Sequence, residues 1–166
     1  MQEDDHPFAM TEDEVIVFFD TETTGLKGAG THIFLLGFLE EKGELNMTKI
    51  AFIFPGQGSQ TVGMGAEFVA NSEESKAFYD QADEVLGFSL SNYMLQGPQE
   101  ELTVTYNAQP ALLTTGVMVA DKLIKSGIKP HFTAGHSLGE YSAFVTSGVL
   151  SFRDAVKVVH KIPPQV

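Results

Sequence analysis

Gly135-His136-Ser137-Leu138-Gly139 decides how this chain is read. A serine set between two glycines follows a short apolar stretch, Lys129 to Ala134, and precedes a helical one, Glu140 to Thr146, which ends near Gly148. Strand, sharp turn, helix is the layout of a nucleophile elbow, in which the turn leaves no room for bulky neighbours and holds the serine hydroxyl out toward substrate. The N-terminus of the following helix lies beneath that serine and adds positive potential. Such a residue favours acyl transfer through an acyl-serine. The pattern is short enough to arise by chance in a chain with 16 glycines, so its surroundings have to carry the reading.

Upstream, Lys49-Ile50-Ala51-Phe52-Ile53-Phe54 is a nearly continuous apolar run of the kind buried on both faces of a sheet, and it stops abruptly at Pro55-Gly56-Gln57-Gly58-Ser59-Gln60. A glycine-rich turn after a buried strand lets backbone N–H groups approach a phosphate or an oxyanion; an ordinary strand-to-helix turn has the same composition. Asn71 or Ser72 can cap a helix through Ala77, Phe78, Ala82, Val85 and Leu86 that stops at Gly87. A second helix is expected from about Pro110 to Lys125, with Ala111, Leu112, Val117, Val119, Leu123 and Ile124 on its buried side. Ser151-x-x-Asp154 is a capping-box start for a helix from Phe152 to Lys161. The order predicts an α/β fold with a parallel sheet and flanking helices.

The first 46 residues have a different character. They hold 11 acidic and 2 basic side chains, net −9, against 11 acidic and 8 basic, net −3, in residues 47–166. Val15 to Phe19 and Ile33 to Leu39 read as two strands joined by a long turn, a β-hairpin fragment ahead of the α/β region. Between them Asp20 and Glu22, at i and i+2 of an extended segment, point to one face and are able to share a divalent cation such as Mg²⁺ or Mn²⁺; an acidic strand end entering a turn has the same spacing.

Composition excludes several classes. A single arginine, Arg153, and a net charge of −12 argue against a general nucleic-acid-binding surface. With no cysteine there is no disulfide, thiolate metal site or cysteine nucleophile. The start is acidic and lacks a basic n-region, and the apolar runs are too short to span a bilayer, so neither a signal peptide nor a membrane span is expected and the default location is cytoplasmic.

From Met47 to about Lys161 the sequence resembles the N-terminal part of bacterial malonyl-CoA:acyl-carrier-protein transacylases. The resemblance rests on Phe54-Pro55-Gly56-Gln57-Gly58-Ser59-Gln60, Asn107-Ala108-Gln109-Pro110-Ala111-Leu112-Leu113 and Gly135-His136-Ser137-Leu138-Gly139-Glu140-Tyr141-Ser142-Ala143, three motifs in order and in register. It implies an α/β-hydrolase-like sheet, here incomplete, with Ser137 as nucleophile and the backbone N–H groups of Gln57 and Leu138 as an oxyanion hole. Gln57 and His136 are the implied substrate contacts, His136 either touching substrate or simply packing. Malonyl-CoA and acyl carrier protein are the implied partners, in fatty acid biosynthesis, with no cofactor and no metal. In the family a downstream histidine serves as general base and an arginine holds the malonyl carboxylate; the arginine's place is taken by Ile162, and the sequence runs on only through Pro163-Pro164-Gln165-Val166. General-base assistance is worth roughly 10²–10⁴ in rate, so this polypeptide alone is expected to turn over malonyl-CoA slowly or not at all.

Asp20-Thr21-Glu22-Thr23-Thr24-Gly25-Leu26, continuing to Gly37, resembles the opening of a ribonuclease-H-like 3′-5′ exonuclease of the DEDD type, whose later acidic motifs have no counterpart here. The organisation that follows is an acidic leader over 1–46, the N-terminal part of an acyltransferase domain over 47–161 and a tail outside the family at 162–166. A metal-dependent exonuclease fragment, or a fusion product without function, is the alternative. Met47 stands where a transacylase would begin.

Overall fold

A computed structural model of the chain describes residues 50–161, together with the backbone of two strands at 14–19 and 33–38. The elements are β1 (Glu14–Phe19), β2 (Ile33–Phe38), β3 (Ala51–Phe54), α1 (Ala66–Asn71), α2 (Glu73–Leu86), α3 (Leu90–Gln96), α4 (Gln99–Thr103), α5 (Thr105–Lys125), β4 (Phe132–Gly135), α6 (Gly139–Thr146) and α7 (Phe152–His160). Strand order in the sheet is β1-β2-β3-β4. β3 and β4 are parallel, in register from Ala51 opposite Phe132 to Phe54 opposite Gly135. β2 is antiparallel to β1 and meets β3, also antiparallel, through Phe34 opposite Ile53 and Leu35 opposite Phe52.

The parallel pair is the part that positions the site. Phe52 and Phe54 point to one side of β3 and are fully buried, whereas Ala51 and Ile53 on the other side are half-buried. α5 reaches the buried side where Gly116 meets the Phe54 ring: a Cβ at Gly116 would sit 3.3 Å from it. β4 alternates in the same sense, with Thr133 turned in to donate its hydroxyl to the Ala143 carbonyl of α6 at 3.2 Å, and Phe132, 56 % exposed, turned out.

Local chemistry accounts for several element ends. Ser72 caps α2 by accepting from the Ser75 N–H, and Gly87 closes it in the left-handed conformation at φ 76° with its N–H on the Asp83 carbonyl. Ser151 starts α7 by accepting from the Asp154 N–H at 3.1 Å. β4 begins at Phe132 rather than Lys129, after Pro130, which has no N–H to give a ladder. The short helices α1, α3 and α4 carry no side-chain cap of their own and too few residues for a periodic signal. α3 is instead capped across space, Asp83 of α2 accepting from the N–H and hydroxyl of Ser91 at 2.8 and 2.6 Å.

α5 corrects the sequence expectation most. It begins at Thr105, not near Pro110, so the proline lies inside it. Its flanks explain this: the Asn107 side chain donates to the Glu101 carbonyl at 2.9 Å, and the Asn107 and Ala108 N–H groups both reach the Val104 carbonyl at 2.8 Å. From Pro110 to Ala120 every residue is buried, so no apolar stripe separates from a polar one. Tyr79 of α2 buries its ring against this helix and donates its hydroxyl to the Met64 carbonyl at 2.7 Å. Burial pushes the Tyr79 phenol up to about 12, against a weaker opposing pull from Thr115.

Candidate functional site

Ser137 sits in the three-residue turn between β4 and α6 with φ 53°, the only non-glycine with a left-handed backbone among the described residues. That conformation costs roughly 1–2 kcal/mol for an L-residue and persists only where its surroundings impose it. The His136 N–H donates to the Phe54 carbonyl at 3.1 Å, tying the turn to the end of β3. The Gly139 N–H donates to the His136 carbonyl at 2.9 Å, and the Glu140 N–H to that of Ser137 at 3.1 Å, so α6 starts directly under the serine.

Both elbow glycines are demanded by close approach rather than by backbone angle. A Cβ on Gly135 would overlap the backbone of Gly139 and Glu140; one on Gly139 would overlap the Phe54 carbonyl oxygen and lie 2.7 Å from its carbon and 2.9 Å from the Pro55 oxygen. Gly56 shows the same logic on the facing loop. A Cβ there would lie 2.9 Å from His136 Nδ1, 3.1 Å from the His136 carbonyl oxygen and 3.6 Å from Ser137 Cβ. The backbone immediately before Gln57 therefore lies against the serine.

The loop from Pro55 to Gln60 is held open from behind. Gln60, only 7 % exposed, accepts the Gly58 N–H on Oε1 at 2.9 Å, and its carbonyl accepts from Gln99 Nε2 at 3.2 Å. Gln99 in turn accepts the Val62 N–H at 2.9 Å. The Gln57 side chain donates to Thr105 Oγ1, in the first turn of α5, at 3.3 Å. Among the described residues neither the Gln57 nor the Leu138 backbone N–H is donated to a protein acceptor. Ser137 and His136 are exposed and Leu138 is buried, so the serine lies at the surface with the next side chain packed into the core. Ser137 Oγ makes no hydrogen bond to a histidine or carboxylate among the described residues, His136 included.

The structure thus brings the Gln57 loop, His136, Ser137 and Leu138 together. Asp20, Glu22 and Ile162 lie outside the described residues. Among the described residues no three His, Asp or Glu side chains gather as a metal-ion cluster, and no helix is long and apolar enough to cross a membrane. Sequence reasoning missed Gly56 as the contact with the elbow, although it stood in a quoted motif. It also missed Thr105 and Gln99, which carry no local signal because their partners are 48 and 39 residues away.

Residues 51–162 match the acyl transferase domain family. Malonyl CoA-acyl carrier protein transacylase of Bacillus subtilis (strain 168) is 59 % identical over 115 residues, 69 % of this chain and 36 % of that protein. The solved malonyl CoA-acyl carrier protein transacylase of Coxiella burnetii superposes with a TM-score of 0.65 at 46 % identity, over 67 % of this chain and 35 % of that one. A malonyl-transacylase solved in complex with a type II PKS acyl-carrier protein gives 0.63 at 42 % identity, over 66 % and 36 %. This chain spans about a third of the length of these relatives. With a strand-turn-helix elbow, an α/β arrangement around it and this match over 51–162, the chain belongs to the acyl transferase domain family.

Proposed function

We propose that residues 47–161 form the nucleophile-bearing, N-terminal part of an incomplete α/β-hydrolase-like acyltransferase domain that transfers malonyl from coenzyme A to acyl carrier protein. Residues 1–46 are the acidic leader in this reading, with its strands β1 and β2 continuing the sheet beyond β3, and 162–166 are the tail, of which only Ile162 falls within the family match. Ser137 Oγ attacks the thioester carbonyl and the coenzyme A thiol leaves; the carrier-protein thiol then attacks the acyl-serine and frees the hydroxyl. The undonated N–H groups of Gln57 and Leu138 receive the negative charge that develops on the thioester oxygen, a contribution of roughly 3–4 kcal/mol per donor in comparable sites. Gln57 and His136 border the acyl group. No metal or other cofactor enters these steps.

The observation that carries this reading is the left-handed Ser137 packed against Gly56. It is also why the chain by itself is expected to acylate slowly: the strained turn presents the hydroxyl, but nothing among the described residues takes its proton. Incubation with malonyl-CoA followed by intact-mass spectrometry tests both points. The expected result is a slow gain of one malonyl group on the native chain and none on Ser137→Ala. Equal labelling of the two overturns the nucleophile; rapid stoichiometric labelling overturns the need for a further base.

A further inference from the structure

Pro110 removes one backbone donor from α5, and the carbonyl it would have served, four residues earlier, is that of Tyr106. The first turn of α5 is weak on a second count, since Val104 at its N-cap offers no side-chain cap. Across the helix interface, His160 at the end of α7 sets Nδ1 3.0 Å from the Tyr106 carbonyl oxygen. A carbonyl only accepts, so in this geometry Nδ1 carries the proton. The imidazole is flanked by Phe88, centroids 5.7 Å apart, and by Tyr106 edge-on at 6.1 Å, which fixes the ring plane. The residue next to Tyr106 is Thr105, whose hydroxyl accepts the Gln57 carboxamide.

We infer that His160 is a positioning residue: by replacing the donor that Pro110 lacks, it clamps the first turn of α5 to α7 and through Thr105 holds Gln57 beside the elbow. This deepens the proposed function and rests on it for its catalytic meaning, but the juxtaposition of His160, Tyr106 and Thr105 is independent of any activity.

The test is made by NMR on the full chain without substrate, so that failure of acyl transfer and failure of the clamp are told apart. In the native chain at neutral pH the His160 ring nitrogens are read first, and the proton is expected on Nδ1. His160→Phe keeps an aromatic ring and removes the donor; His160→Asn keeps a donor close to the Nδ1 position. In the Phe variant the Gln57 carboxamide resonances are expected to move, and the Asn107 and Ala108 amides to exchange about fivefold faster, as loss of one hydrogen bond implies. The Asn variant is expected to restore both. A general loss of stability would speed exchange throughout the core without moving the Gln57 carboxamide well below the unfolding temperature. An Nδ1 without a proton in the native chain, the proton sitting on Nε2 alone, overturns the inference, as do unmoved Gln57 signals in a folded Phe variant. Should that variant not fold, the tautomer in the native chain decides.

Discussion

Replacing Gly139 by alanine probes the clamp between β3 and α6 directly. The new methyl overlaps the Phe54 carbonyl oxygen and lies 2.7 Å from its carbon and 2.9 Å from the Pro55 oxygen, so neither neighbour is a side chain that can rotate away. Restoring ordinary contact at about 3.4 Å requires α6 and the end of β3 to part by more than about 0.7 Å, because the Phe54 oxygen lies closer to the added methyl than the carbon at 2.7 Å does. Overpacking a well-filled interior costs roughly 1–3 kcal/mol, and a backbone-on-backbone overlap belongs at the upper end, about 3 kcal/mol. Gly148→Ala is the control, because nothing lies within 4 Å of its added methyl and only its φ of 80° opposes the change, at about 1 kcal/mol. Thermal unfolding followed by far-UV circular dichroism reads both: for a chain of this size each kcal/mol shifts Tm by about 2–4 °C. Losses of about 6–12 °C for Gly139→Ala and 2–4 °C for the control are expected. Equal losses refute the reasoning, since α6 would then slide off β3 without cost and the glycine would not be what fixes the turn.

Tyr79 predicts a pH dependence on the alkaline side. Its folded value near 12 exceeds the ordinary 10, so the unfolded chain gives up this proton first, and stability is lost as pH rises from about 10 toward 12, by roughly 2–3 kcal/mol in all. Urea midpoints at pH 9, 10 and 11 should fall more steeply in the native chain than in Tyr79→Phe; parallel curves would remove the claim. Ser72→Ala deletes the acceptor for the Ser75 N–H and should cost about 1 kcal/mol, seen as a lower urea midpoint at unchanged slope. Phe132→Lys places a charge on β4, the last strand in the sheet order, at a position already 56 % exposed. It should raise the concentration at which light scattering appears, with unchanged scattering counting against β4 as a site of self-association.

The α/β class and most of the site were readable because their causes are local in sequence. Ser72, Gly87 and Ser151 end or begin helices through bonds to residues three or four positions away. Gly135 and Gly139 announced a tight turn before any strand could be seen to touch it. What escaped depended on remote partners. α5 reaches back past Pro110 because Glu101 and His160 satisfy groups in its first turns, the second from 54 residues away. Proline's usual role as a helix starter pointed to the later boundary. α3 escaped because its cap, Asp83, sits on α2. Gln57 was read as part of the site, yet what orients it, Thr105, was invisible, since a lone threonine gives no hint of the loop it will meet.

The elbow is closed by a contact between Gly139 and the carbonyl of Phe54, residues on either side of the whole α1–α5 segment. Bringing residues so distant along the chain together carries a loop-closure entropy that the bonds within each helix do not. With β3 and β4 apart, the packing that holds Ser137 in its left-handed conformation would be missing. The backbone geometry at position 137 is therefore a property of the whole topology rather than of the five-residue motif that contains it.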